Sequence, residues 1–195
     1  MMPLNAKSYK KLSSLSPIFP KLYKTDCKEL ILCDLPISYN DFLFLSSNVE
    51  NIVLTFVVVK NEDGSIVPLE KLVKSLPKIK DIFLYDDIDS SCITLNTVKE
   101  LLTIPRFSKI SKISLHKIPE TFDIETFFAF IKKNKIAKFD LRFADTVSDA
   151  YKIRLESIID EILQTENHDY KVPLIIFQGL DREKLTKLLS LFDKN

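Results

Sequence analysis

The sequence predicts an α/β fold, a leucine-rich-repeat-like solenoid of about six strand–helix units with a parallel sheet. Two observations predict it: a short apolar pattern recurs, and a helix-like stretch follows each copy. The pattern has apolar residues at its first, fourth and sixth positions. Its copies start 22 to 36 residues apart, at Cys27, Val49, Ile79, Ile110, Ile136 and Val172.

The last two apolar positions of each copy predict a short strand. Side chains alternate between the two faces of a strand, so apolar residues two positions apart point to the same side. Ile82 and Leu84 form such a pair in the third copy, and Val172, Ile175 and Phe177 make up the sixth copy. Because one unit cannot cover its own apolar face, neighbouring units are expected to stack.

Capping residues and apolar stripes predict a helix after each strand. Helices are predicted after Ser38, Thr94 and Asp123, and another is predicted with Pro68 at its first position. Two more are predicted from about 148 to 164 and from 181 to 192. Leu95 and Leu189 are expected on buried stripes. Six such alternations predict a parallel sheet with helices on its other face. A doubly wound α/β domain shows the same alternation and is the alternative fold, but the repeated pattern favours the solenoid.

The chain divides into a basic N-terminal arm or cap, residues 1–26, and a strand–helix repeat domain, residues 27–195. The arm is rich in lysine, with Lys7, Lys10, Lys11, Lys21 and Lys24. Such a cluster could contact phosphates, so nucleic-acid binding through the arm is the alternative function. A net charge of +1 over the whole chain makes nucleic acid an unlikely partner.

Composition argues against an enzyme and against a cofactor. A dinucleotide fingerprint, a phosphate loop and a nucleophile elbow all need glycines, and the chain has two, Gly64 and Gly179. Gly64 follows Asp63, a turn signal that predicts a small hairpin projecting from the second unit. Three cysteines without C-x-x-C spacing indicate a reducing, intracellular compartment, cytoplasmic or nuclear. No membrane span or signal peptide is apparent.

Two candidate chemical sites were weighed and rejected. An acidic run, Asp86, Asp87 and Asp89, lacks the glycine and glutamate that a calcium loop needs, so it is interpreted as a solvated loop without metal. A nucleophile pair of Cys33 and His116 would lie three strands apart, about 14 Å, which is too far for a hydrogen bond.

The second half of the chain resembles a known family. The stretches FDIETFFAFIKKNKIAKFDLRF (Phe122–Phe143) and YKIRLESIIDEILQTENHDYKVPLIIFQGLDREKL (Tyr151–Leu185) are similar to nematode F-box-associated, FTH-like proteins with degenerate leucine-rich-type repeats. LPISYNDFLFLSSNVENIVL (Leu35–Leu54) resembles the middle section of the same family. The resemblance implies a repeat region that captures a substrate for ubiquitination, and a Skp1-type adaptor bound through an F-box. The first 26 residues are too short for an F-box, which leaves the partner-binding half.

The strand residues between the apolar positions are expected to face outward and to bind another protein. Aromatic rings and arginine are enriched in binding hot spots, which selects Phe83, Tyr85, His116, Lys138, Asp140 and Arg142 as partner-binding residues. In a doubly wound sheet the same face would be buried, including Ile31, Val53, Leu174 and Ile176. The sequence therefore predicts a non-enzymatic protein-interaction module.

Overall fold

The computed structural model describes residues 26–194, an α/β fold around one parallel sheet. Within that range six strands alternate with six α-helices: β1 (Glu29–Ser38), α1 (Tyr39–Ser46), β2 (Asn51–Lys60), α2 (Leu69–Lys74), β3 (Asp81–Tyr85), α3 (Thr97–Thr103), β4 (Lys112–Ile118), α4 (Ile124–Lys133), β5 (Lys138–Phe143), α5 (Asp149–Gln164), β6 (Leu174–Ile176) and α6 (Arg182–Asp193). Short 3₁₀ turns cover Ile88–Ser90 and Phe107–Lys109.

The strands lie in the sheet in the order in which they occur in the chain, and every neighbouring pair is parallel. Strand order therefore does not reverse within residues 26–194, as it does at the switch point of a doubly wound sheet. Helices α2, α3 and α4 contact one another in sequence. Ion pairs from Glu125 to Arg154 and from Lys132 to Glu161 join α4 to α5, so these helices form one layer.

The core lies between that helix layer and one face of the sheet. Its central rows come from the predicted apolar pairs, and Ile52, Ile82, Ile113 and Phe139 share one row of the register. Leu54, Leu84, Leu115 and Leu141 form the next row, and all eight side chains are at most 4% exposed. Burial of leucine and isoleucine at this density supplies the main stabilisation of the fold.

Serine and aspartate caps fix the starts of four helices. Ser38, Asp123, Ser148 and Asp181 each accept a hydrogen bond from a backbone N–H two or three residues later, and the caps at Ser38 and Asp123 were predicted. Helix α3 is different. It begins at Thr97, and Thr94 lies in the preceding turn, where its hydroxyl accepts from the amide of Asn96.

Several sequence-based predictions were wrong at the edges of elements. Leu95 precedes α3 and is 75% exposed, while Ile136 is 53% exposed because Ala137 takes the buried position before β5. Leu189 is 37% exposed, since Leu188 is the residue of α6 that turns inward.

The sixth copy of the pattern was placed two residues out of register. Ile175 pairs with Leu141 rather than with Phe139. Strand β6 has only three residues. Pro173, which has no N–H to donate to a ladder, stands directly before it. Helix α6 packs against both β6 and α5. Its Lys184 forms ion pairs with Glu156 and Asp160 of α5 at 2.7 and 2.6 Å.

The predicted turn at Asp63-Gly64 is confirmed, but strand β2 continues to Lys60 before it. Gly64 has φ +83°, and its amide donates to the carbonyl of Asn61 at 3.0 Å. Lys60 and Ile66 form an antiparallel bridge across this turn.

Candidate functional site: the open face of the sheet

One face of the sheet carries no helix over most of its width, and we call it the open face. Alternate strand residues form its three rows. The first contains Glu29, Asn51, Asp81, Lys112 and Lys138, the second Ile31, Val53, Phe83, Ser114, Asp140 and Leu174, and the third Cys33, Thr55, Tyr85, His116, Arg142 and Ile176.

Burial separates this face from the interior. Ile31 is 41% exposed and Val53, Phe83 and Ile176 are half-buried, whereas a doubly wound sheet would bury all of them. Among these apolar residues Leu174 is buried, at 3% exposed, because α6 packs on β6, and Ser114 of the same row is 2% exposed. The open face thus extends from β1 to β5 and ends at α6.

Three residues with left-handed backbone interrupt the side-chain alternation on the open face. Asp34, Phe56 and Lys117 have φ of 52°, 51° and 61°. Asp34 and Phe56 lie opposite each other, since Cys33 pairs with Thr55 and the next pair is Leu35 with Val57, so β1 and β2 stay in register. Lys117 forms a β-bulge, because β4 has one residue more than β5 between His116 and Ile118. At each of the three positions, two consecutive side chains lie outside the core.

The broken alternation at Phe56 brings this residue to the open face, a functional candidate that the sequence-based prediction missed. It is 44% exposed, and its ring centroid lies 4.8 Å from that of Tyr85. A sequence signal existed, because the buried apolar residues Leu54 and Val57 are three positions apart instead of two. The same step separates Leu32 from Leu35, and Leu115 from Ile118.

Five of the six predicted site residues form one continuous cluster. The ring of His116 lies 4.8 Å from that of Phe83 and 5.8 Å from that of Tyr85, both edge to face. Its Nε2 lies 3.4 Å from Oδ2 of Asp140. Nε and Nη2 of Arg142 each donate to Asp140 at 3.1 Å. We call these five residues and Phe56 the face cluster.

Asp140 is the electrostatic centre of the face cluster. Burial alone would raise the pKa of its carboxyl, but the hydrogen bonds from His116 and Arg142 outweigh burial and lower it. Asp140 is therefore an anion with both oxygens occupied. His116 is only 9% exposed, so it packs against Phe83 and Tyr85 without being accessible itself. Arg142 and Phe56 form the accessible surface of the face cluster.

The prediction that the acidic run after β3 is a solvated loop was wrong for its first residue, Asp86. Asp86 is 3% exposed, and its carboxylate accepts from the Ser91 hydroxyl at 2.5 Å and the Cys92 amide at 3.5 Å. Burial raises the pKa of Asp86, and burial also raises the pKa of the Cys92 thiol. The Asp86 amide donates to the carbonyl of His116 at 3.1 Å. This hydrogen bond joins the end of β3 to β4 next to the face cluster.

Lys138 lies apart from the other predicted site residues. It begins β5 in the first row, and its Nζ lies 4.0 Å from the ring centroid of Phe192 near the end of α6. A cation over an aromatic face is a favourable contact that fixes the side chain. Lys138 thus marks the boundary between the open face and α6.

A separate cleft of about 580 Å³ lies where β1 and β2 end. Its polar groups satisfy one another. Asn40 donates to Glu62 at 3.2 Å, and Lys71 donates to Asn61 at 2.9 Å while lying 4.4 Å from the centroid of the Tyr39 ring. None of the residues that line this cleft belongs to the face cluster.

The lysine-rich arm, residues 1–26, lies outside the described residues except for Asp26. Among residues 26–194 no group of three or more histidine, cysteine, aspartate or glutamate side chains is placed to hold a metal ion. In the same part of the chain, no helix has the length and apolar character needed to cross a bilayer. Comparison with protein-family models, with curated proteins and with solved structures finds no match to this chain.

Proposed function

We propose that this chain is a non-enzymatic, intracellular protein-interaction module, in which leucine-rich-repeat-type units stack into a short solenoid and hold another protein on the open face. The observation that carries the proposal is the face cluster, a continuous patch of aromatic rings and an arginine on the part of the sheet face that no helix covers. Rings and arginine dominate the binding energy of many protein interfaces.

The rigidity of the face cluster supports binding rather than catalysis. Asp140 is held by His116 and by both donating nitrogens of Arg142, so these groups fix one another's orientation. A surface whose side chains are already ordered loses less conformational entropy when a partner docks. An acid or base that acts in catalysis would instead need a free site for its proton.

The resemblance to F-box-associated proteins fits the same proposal. Such a repeat region would present a substrate, and a Skp1-type adaptor would join the complex if the protein acts in a ubiquitin ligase. The adaptor is therefore a partner that the capture experiment tests.

Affinity capture from a lysate of the source organism, followed by mass spectrometry, tests the proposal. The bait variant is Phe56→Ala with Arg142→Ala, two exposed members of the face cluster whose removal leaves the core intact. The matched control removes one apolar side chain and one cation from the helix layer, Ile153→Ala with Lys133→Ala, both also exposed.

We expect the wild type and the control to recover the same protein, and the face variant to lose it. Melting followed by circular dichroism verifies that all baits are folded. Recovery of an identical set by the face variant would contradict the proposed surface. Recovery of a Skp1-type adaptor would support the ligase role.

A further inference from the structure

The charges of the chain are separated between the two ends of the sheet. Three segments lead into β3, β4 and β5, namely residues 74–80, 104–112 and 132–138. They contain ten lysine or arginine residues and no aspartate or glutamate, and we call them the basic rim. Four segments follow β2 to β5, namely residues 61–68, 86–96, 119–123 and 144–148. These contain eight carboxylates and no lysine or arginine, so the net charge of +1 conceals one strongly basic end.

Hydrogen bonds hold the three segments of the basic rim side by side. Arg106 donates to the carbonyls of Leu76 and Lys74 at 3.0 and 3.2 Å, which joins the first segment to the second. The side-chain amide of Asn134, 6% exposed, donates to the carbonyl of Ser108 at 3.1 Å, which joins the second segment to the third. The cations therefore lie on one connected backbone platform.

Most ammonium groups of the basic rim have no carboxylate beside them. Lys80 pairs with Glu50, and Lys132 pairs with Glu161 at 2.8 Å. Within residues 26–194, the structure shows no ion-pair partner for five exposed lysines of the basic rim: Lys74, Lys109, Lys112, Lys133 and Lys135. These five positive charges are available to a ligand.

At the opposite end of the sheet, carboxylates have partners within the chain. Asp123 accepts a hydrogen bond from the amide of Thr126 at 3.0 Å. Glu120 accepts one from the amide of Ser148 at 2.8 Å. Such bonds order helix starts and loops, so contacts within the fold account for these carboxylates and leave the lysines of the basic rim without an equivalent role.

The helix dipole does not account for the basic rim either. Cations are favourable in the last turn of a helix, and Lys74, Lys132 and Lys133 occupy such positions in α2 and α4. Helices α1, α3, α5 and α6 have no basic residue in the last turn. Glu50 precedes β2 and Glu166 precedes β6, so the excess of cations is confined to three adjacent units.

The composition of the basic rim favours phosphate over a protein carboxylate as its ligand. Nine of its ten cations are lysines, and lysine is depleted in protein–protein interfaces. Carboxylates are held best by the fork of an arginine, but both Nη atoms of Arg106 donate to main-chain carbonyls. Lysine binds phosphate as a point charge and needs no such fork.

Among phosphate-bearing surfaces, a nucleic-acid duplex fits the basic rim best. A single strand is held by aromatic side chains on which bases stack, but Phe107, the one aromatic residue of these segments, is 2% exposed. A membrane surface takes up several apolar side chains beside the cations. In the part of the chain that the structure describes, Ile136 is the one exposed large aliphatic residue of the basic rim.

We propose that the basic rim binds the phosphate backbone of a nucleic-acid duplex without preference for base sequence. A duplex carries one negative charge per about 1.7 Å of its axis, so several phosphates face the roughly 10 Å that three strands span. Contacts to phosphate carry no sequence information. This binding does not depend on the protein-binding function of the open face, and its failure would leave that function intact.

Fluorescence anisotropy of the full chain with a short labelled DNA duplex tests the proposal. Affinity should fall about thirtyfold or more between about 50 mM and 200 mM salt, because bound counterions are released from the duplex. A duplex of unrelated sequence should bind within about twofold of the first.

Charge reversal in the basic rim identifies the surface. Lys74→Glu, Lys109→Glu with Lys135→Glu replaces one exposed lysine in each segment. We expect this rim variant to bind the duplex about thirtyfold more weakly at low salt, and to lose about 0.9 of the salt slope for each phosphate contact removed. Circular dichroism melting verifies its fold. The corresponding lysine-to-glutamine variant should lose affinity in the same direction, and it carries the test if the reversal variant does not fold.

Two further variants separate the basic rim from net charge and from the lysine-rich arm. Lys60→Glu, Lys99→Glu with Arg182→Glu changes the net charge equally at exposed positions elsewhere, and should leave the affinity within about threefold. An arm variant, in which Lys7 and Lys10 become glutamine, should also keep most of the affinity.

Equal weakening by the rim variant and its charge-matched control would overturn the proposal. Loss of binding in the arm variant with none in the rim variant would overturn it as well, and would assign nucleic-acid binding to the arm. Absence of duplex binding at low salt, together with rim-dependent binding to phosphatidylserine vesicles, would assign the basic rim to a membrane surface instead.

Discussion

At the scale of single residues, the structure depends on a few buried or half-buried polar groups. Asp140 orders the face cluster, Asp86 anchors the loop after β3, and Tyr151, 1% exposed, donates its hydroxyl to the carbonyl of Phe122. The identities of Phe83, Tyr85 and Asp140 as outward residues followed from strand alternation. Their mutual contacts did not, because side-chain hydrogen bonds depend on rotamers that a sequence pattern does not encode.

Replacement of Asp140 by asparagine should make stability less dependent on pH. The folded protein holds the pKa of Asp140 below its unfolded value of about 3.9, so the ionised carboxylate stabilises the fold above that pH. This contribution is lost as the pH falls through the lowered folded pKa. At about pH 5 the variant should be about 1–3 kcal/mol less stable than the wild type, and the gap should narrow near pH 2.

Urea denaturation at the two pH values measures this gap. Glu166→Gln, an exposed carboxylate outside the face cluster, serves as the control and should give no gap at either pH. A gap for Asp140→Asn that is the same at both pH values would show that the charge of Asp140 does not stabilise the fold.

At the scale of elements, caps fix where helices begin, and residues with positive φ shift the side-chain alternation within strands. Helix starts with a serine or aspartate cap were predictable, because the side chain satisfies a free backbone N–H wherever it occurs. The start of α3 was not, since Thr94 bonds inside a turn before the helix. The sixth pattern failed because β6 is short and follows Pro173, so apolar spacing alone does not fix its register.

The bulge at Lys117 offers a test of backbone conformation. Lys117→Gly removes a non-glycine residue from the left-handed region, where an L side chain costs about 1–2 kcal/mol. It also removes an ion pair with Asp145 that is largely exposed and contributes little. Lys112→Gly, in the same strand without positive φ, should instead destabilise by about 0.5–1 kcal/mol.

In thermal or urea unfolding, Lys117→Gly should therefore be more stable than Lys112→Gly by about 1.5–3 kcal/mol. Equal stability of the two glycine variants would mean that Lys117 is not held in the left-handed conformation.

At the scale of the whole molecule, sequential strand order leaves one face of the sheet uncovered by helices from β1 to β5. Repetition of the apolar pattern predicted an α/β fold with a parallel sheet, and the strand order and helix layer confirm that coarse description. The path of α6 along β6 was not predictable, because an amphipathic helix indicates that one face is buried but not what it packs against.

Truncation of the central leucine row should destabilise the whole molecule. Leu84→Ala, at a side chain 1% exposed, is expected to cost about 2–5 kcal/mol, the range for buried leucine truncations. Leu95→Ala, at a leucine 75% exposed, is the matched control and should change stability by no more than about 0.5 kcal/mol. Calorimetry compares them, and similar melting temperatures for both variants would exclude Leu84 from the core.

The central claim is that the open face, and not the helix layer, contacts a protein partner. Site-specific photo-crosslinking tests it most directly, with benzoylphenylalanine in place of Phe56 on the open face or Ile153 on α5, two exposed apolar positions. After illumination in a lysate, we predict a discrete protein adduct from position 56 and none from position 153. An adduct from position 153 with none from position 56 would contradict the claim and place the binding surface on the helices.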